Sequence, residues 1–141
     1  MKKIILFIII IILVGVGIWW KIQSKDRTNP PTQTEPIYLI TPQPNEVIKS
    51  PLIIKGEARG NWFFEGSFPV MLTNWDGLII AEGIAKAQGD WMTTEFVPFT
   101  ATLEFKTPTY KNNGSLILKK DNPSVLPEHD AALEIPVLFS K

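Results

Sequence analysis

The chain of 141 residues contains no cysteine, one histidine and no excess of either charge, with 14 Lys/Arg against 14 Asp/Glu. Without cysteine there is no disulfide framework, no thiol chemistry and no residue for a lipoprotein to lipidate. With His129 as the lone histidine, acid–base and metal chemistry have little to draw on. No basic stripe runs along the chain, so nucleic acid is not an expected partner. Past residue 20 the sequence also lacks any convincing amphipathic helical period. A domain-sized segment follows, large enough to hold a core without covalent staples, so the missing cysteines do not argue against an exported location.

What is present begins with Ile4 to Trp20, 17 residues with no charge and no strong polar group. As a helix this run would be roughly 25 Å long, against a bilayer core of about 30 Å. Lys2, Lys3 and Lys21 flank it and can snorkel, and Trp19 and Trp20 suit the membrane interface. Residues 1–20 are therefore expected to form a single transmembrane anchor. A cleaved signal peptide is the competing reading. Against it stand the length of the apolar run, the missing small-residue cleavage site and the Trp pair where that site would fall. With almost nothing before the span and a whole domain behind it, the expected orientation is N-terminus inside, C-terminal domain outside.

Residues 21–36, KIQSKDRTNPPTQTEP, are polar and proline-rich with no apolar face, and read as a spacer. Residues 37–141 carry nine Lys/Arg and twelve Asp/Glu and read as one domain. Their pattern is strand after strand. Ile37–Ile40 is a short apolar run, and in Leu52–Ala58 the apolar Leu52, Ile54 and Gly56 alternate with Ile53, Lys55 and Glu57. Phe64, Gly66, Phe68, Val70 and Leu72 alternate with Glu65, Ser67, Pro69, Met71 and Thr73. Asp76-Gly77 marks a turn into Leu78–Ala87. Ala101, Leu103 and Phe105 alternate with Thr100, Thr102, Glu104 and Lys106. Asn112-Asn113-Gly114 turns into Ser115–Leu118, and Leu133, Ile135, Val137 and Phe139 form the last inward row. Such a chain is expected to be all-β, an immunoglobulin-like antiparallel β-sandwich of about seven strands. A small closed barrel is the structural alternative. Pro69 and Pro136 lie inside strands and, lacking an N–H, belong at edges or bulges.

The order Ser50-Pro51-Leu52, Gly56-Glu57-Ala58, Phe64-Glu65-Gly66, Asp76-Gly77, Pro98-Phe99, Phe105, Asn122-Pro123-Ser124 and Ile135-Pro136-Val137 resembles an immunoglobulin-like domain family of bacterial spore germination and sporulation proteins. In that family the domain accompanies the GerMN module, and no such partner module is expected within these 141 residues. The resemblance covers about residues 37–139. It implies an extracytoplasmic sandwich with a recognition role, and it supplies no catalytic residues.

Three places carry possible chemistry. Ser124, His129 and Asp130 have the residue types of a hydrolytic triad. They stand too close in sequence to supply both the base geometry and an oxyanion hole, and a solvated loop histidine is the expectation. Asp121, Asn122, Glu128 and Asp130 are oxygen-rich, but their spacing matches no calcium loop and Asn-Pro-Ser reads as a self-bonded turn. No metal and no cofactor are expected. The aromatics are the better lead. Trp62 shares parity with Phe68 and is expected in the core, while Phe63 falls on the opposite face. Trp75 stands beside the Asp76-Gly77 turn, and Trp91 opens the strand segment after Gly89-Asp90. Phe63, Trp75 and Trp91 are the candidate contacts for a partner.

The expectation is thus a non-enzymatic, single-span protein of the bacterial cytoplasmic membrane whose outer domain contacts an envelope protein or glycan. A structural accessory subunit that associates through its span is the alternative.

Overall fold

A computed structural model describes residues 35–141. The expected anchor, residues 1–20, and all of the spacer before Glu35 lie outside the described residues. Among the described residues no helix is long and apolar enough to cross a membrane.

Eight strands make the fold: β1 (Ile37–Thr41), β2 (Val47–Ile48), β3 (Leu52–Arg59), β4 (Ser67–Asn74), β5 (Ile79–Ala87), β6 (Phe96–Leu103), β7 (Asn113–Lys119) and β8 (Ala132–Phe139). Two short 3-10 turns, Gly60–Trp62 and Pro127–His129, interrupt them. The strands are ordered β1-β3-β6-β5-β4-β7-β8-β2 in one continuous sheet. The sheet curls over into two layers, β1-β3-β6 facing β5-β4-β7-β8-β2. The corner is β5, which pairs with β4 along most of its length but with β6 only through Lys86↔Thr100 and Ala87↔Phe99.

The sequence leads one to expect about seven strands; the eighth is β2. The first strand is split: β1 pairs antiparallel with β3, and after residues 42–46 the chain resumes as β2, parallel to β8. A two-residue strand has no period to read, which is why Val47–Ile48 escapes a pattern search. The sheet's two edge strands are consecutive in sequence and belong to opposite layers. The domain is therefore a split-edge sandwich and not a closed barrel.

Alternation works where the strands are regular. In β3, Leu52, Ile54 and Ala58 are buried, and in β6 Val97, Phe99, Ala101 and Leu103 are. Phe68, Val70 and Leu72 of β4 pack against Leu116 and Leu118 of β7 and Ile135, Val137 and Phe139 of β8. Phe68 is the hub of the aromatic core, with its ring 4.9 Å from Phe99, 5.3 Å from Phe63 and 6.3 Å from Trp62. Edge-on aromatic pairs of this kind contribute about 0.5–1.5 kcal/mol each beyond their buried area.

Alternation fails in two places, each for a geometric reason. Thr73 is expected to face outward but is 6% exposed. A bulge between Leu72 and Thr73 shifts the register and turns both side chains inward. Between Arg59 and Ser67 no strand forms. Gly60–Trp62 is a 3-10 turn, and Glu65 (φ 50°) and Gly66 (φ 72°) form a left-handed pair closed by the Phe64–Ser67 bridge. Both prolines occupy weakly paired flanks. Pro136 sits on β8, whose other neighbour is only the two-residue β2, and Pro69 lies just beyond the last β4–β7 pair, Val70↔Leu118.

Candidate functional site

The antiparallel order gives the domain two ends of opposite character. Ile37 pairs with Ala58, and the Arg59 N–H donates to the Pro36 carbonyl. The chain therefore arrives beside the end of β3, the start of β4 and the start of β6. Loops 60–66, 88–95 and 120–131 share this Pro36 end. The hairpin 75–78, the loop 104–112 and residues 49–51 and 140–141 form the opposite, Trp75 end. An eight-residue strand at about 3.3 Å per residue separates the two by roughly 25 Å.

The expected contact residues divide between these ends. Phe63 is 4% exposed and packs on Phe68. This corrects the expectation of an outward Phe63. The 3-10 turn rotates Trp62 and Phe63 into the core together and leaves Phe64, 41% exposed, outside. Trp91 does not open a strand but lies in the loop before β6, at the Pro36 end. It is half-buried against the core. A Cβ on Gly66 would come within 3.2 Å of its indole, and one on Gly60 within 2.3 Å of its carbonyl oxygen. The two glycines thus make the space in which Trp91 closes this end of the sandwich.

Trp75 is different. It is 39% exposed on the tip of the β4–β5 hairpin. Asn74 builds that tip: its Oδ1 accepts from the N–H groups of Asp76 and Leu78, both at 3.0 Å. The Gly77 N–H closes on the Asn74 carbonyl at 3.1 Å with Gly77 at φ 79°. The loop 104–112 comes over to meet the indole. Tyr110, 64% exposed, stands edge-on to it at 5.5 Å. The Lys111 ammonium lies 3.9 Å from the Trp75 ring centroid and 5.6 Å from that of Tyr110. Trp75, Tyr110, Asn74, Ile80 and Lys106 line a cleft of about 320 Å³. A second cleft of about 550 Å³, reaching Lys111, Asn112 and Ser140, shares Thr107–Thr109 with the first.

Tyr110, Lys111 and Lys106 are site residues that strand-pattern reading passes over. Their signal was local: a Pro-Thr-Tyr-Lys run next to the Asn112-Asn113-Gly114 turn. What pairs that run with Trp75 is the β4–β7 register, Asn74↔Gly114.

The oxygen-rich loop 120–131 is bound to itself. Asn122 Nδ2 donates to the Leu126 carbonyl at 2.8 Å and to Asp130 at 2.9 Å, and Ser124 Oγ donates to Asn122 Oδ1 at 2.5 Å. Ser124, His129 and Asp130 are not brought together as a triad. Among the described residues no three His, Cys, Asp or Glu side chains converge as a metal site. On the β1 edge, the Tyr38 hydroxyl donates to the Glu57 carboxylate, and Arg59 lies 4.2 Å from the Phe96 ring centroid.

The curled all-β sheet with its split first strand defines an immunoglobulin-like module. Residues 37–124, more than half of the chain, match Gmad2, the immunoglobulin-like domain of bacterial spore germination, and the chain belongs to that family. The match spans β1 to β7, while β8 completes the fold beyond it. No curated protein and no solved structure matches the chain.

Proposed function

We propose that the chain is a membrane-anchored, extracytoplasmic recognition or assembly module that performs no catalysis and offers its Trp75 end to a protein or glycan of the bacterial envelope. The observation that carries this reading is the exposed Trp75–Tyr110–Lys111 group, set at the end of the domain opposite Pro36. The chain enters the domain at Pro36, and the aromatic group stands at the end of the domain remote from that entry. The family supports a non-catalytic module, and the apolar run Ile4–Trp20 supports the tether.

Envelope cross-linking followed by capture of the full chain tests the reading. Trp75→Ala is expected to lose most of the captured partner while the melting temperature stays within a few degrees. Removal of residues 1–20 is expected to leave the association intact. An association lost with residues 1–20 and indifferent to Trp75 makes the chain an accessory subunit held by its span. Mass analysis of the membrane fraction checks the tether: a mature N-terminus between Gly17 and Thr34 contradicts it.

A further inference from the structure

We propose that the Trp75 end binds an anionic saccharide, with a sugar ring laid against Tyr110 and Trp75 and its carboxylate or phosphate held by Lys106 and Lys111. The inference rests on the recognition reading above and narrows it to a ligand class.

The first support is the distribution of charge. The domain as a whole is acidic, which by itself disfavours a polyanion. The charges are segregated, however. Loops 60–66, 88–95 and 120–131 hold six Asp/Glu side chains and one lysine, whereas residues 49–51, 75–78, 104–112 and 140–141 of the Trp75 end hold four lysines and two, Asp76 and Glu104. The ends stand roughly 25 Å apart, about three Debye lengths at physiological ionic strength, so the distant carboxylates are screened from a ligand at Trp75. No carboxylate among the described residues engages Lys106 or Lys111.

The second support is how Lys111 is held. It occupies left-handed backbone at φ 54°, a conformation that non-glycine residues adopt rarely and at a cost of order 1 kcal/mol. That backbone sets its ammonium over the indole, beside the exposed Tyr110 ring. A cation and two aromatic rings are thus presented together at one surface.

The third support is the lining. Thr107 and Thr109 separate two adjoining clefts, and Asn74 and Ser140 sit at their outer walls. Hydroxyl and amide groups beside aromatic faces suit a polyhydroxylated ring. The joined clefts give a ligand longer than one sugar unit a path from Tyr110 toward Ser140. An acidic peptide would satisfy the lysines but make little use of these hydroxyls.

The test is calorimetric titration of the full chain in detergent with four probes: an oligogalacturonate, a sugar-phosphate oligomer of the same length, a neutral oligosaccharide and oligoglutamate. At least one acidic saccharide is expected to bind more tightly than both the neutral sugar and the peptide. The carboxylate and phosphate arms show which anion is preferred. Lys106→Gln and Lys111→Gln are each expected to weaken binding about three- to tenfold and to flatten its salt dependence. Tyr110→Ala is expected to weaken it, with Tyr110→Phe restoring most of the loss. Equal binding of oligoglutamate, or no binding of either acidic saccharide, overturns the proposal. So does affinity unmoved by Lys111→Gln in a chain whose melting temperature is unchanged. If the saccharides fail while Trp75→Ala still abolishes envelope capture, the ligand class is wrong and the recognition reading stands; if capture is also unaffected, both fall.

Discussion

Trp91 and Trp75 both follow a β-strand and both neighbour an Asp and a Gly, yet the two ends of the sandwich use them in opposite ways. At the Pro36 end the backbone has been hollowed by Gly60 and Gly66, and Trp91 lies in that space. Trp62 and Phe63 are drawn in beneath it, so this end commits three large aromatics to closing the core. At the Trp75 end no glycine receives the indole. A hairpin tip built by Asn74 holds it up, and its neighbours are another exposed ring and an ammonium. A tryptophan beside a turn is therefore structural or available according to whether the facing backbone has room for it.

This contrast can be broken by substitution. The largest effect is expected at Phe63→Ala, which removes a buried ring tilted against the Phe68 hub and should cost about 3–5 kcal/mol. In a domain of this size that is a fall of the melting temperature by well over ten degrees. A loss under about 1 kcal/mol would mean that Phe63 is not in the core.

Trp91→Ala is expected to cost about 1–3 kcal/mol by chemical denaturation, an intermediate loss for a half-buried side chain. Gly66→Ala should act in the same direction, since it combines a left-handed φ with a Cβ pressed on the indole. If Gly66→Ala is neutral, the packing of Trp91 on that backbone is wrong.

Trp75→Ala and Tyr110→Ala are expected to change stability by less than about 1 kcal/mol, because both rings already face water. A cost at Trp75 equal to that at Trp91 would erase the distinction between the two ends.

The smallest expected effect belongs to neither end but to the β1 edge. Tyr38 donates to Glu57, and that hydrogen bond, then burial, then the Glu57 charge push its pKa up to about 12. The folded value exceeds the unfolded value of about 10, so the fold favours the protonated phenol. The associated stability is complete below about pH 10 and is lost as the pH rises through about 12. The melting temperature should fall slightly more steeply over that window in the native chain than in Tyr38→Phe, and identical slopes would refute the coupling.

The fold was legible wherever period two had length to express itself. The rows Leu52–Ala58, Phe68–Leu72 and Leu133–Phe139 alternate in burial as they do in sequence, because one face of each strand lies in the core. The reading broke where a local backbone device intervened: the bulge at Thr73, the left-handed pair Glu65-Gly66 and the 3-10 turn that carries Phe63 inward. Each inserts a rotation that a count of alternating residues cannot register. The candidate site was half legible. Trp75 could be picked from its turn, but Tyr110 and Lys111 are remote from it in sequence. Only the pairing of β4 with β7 makes them its neighbours.

The split first strand gives the domain a mechanical polarity. The chain comes in beside Pro36, and β8 finishes at Phe139 on the opposite side. β2 and β8 run parallel and are joined by the bonds Asn45 N–H to Pro136, Leu138 N–H to Glu46 and Ser140 N–H to Ile48, at 2.7, 2.9 and 3.0 Å. A pull between Ile37 and Phe139 draws these two strands lengthwise in opposite directions. The three bonds then share the load at once, in shear, whereas those of an unzipping hairpin break in succession.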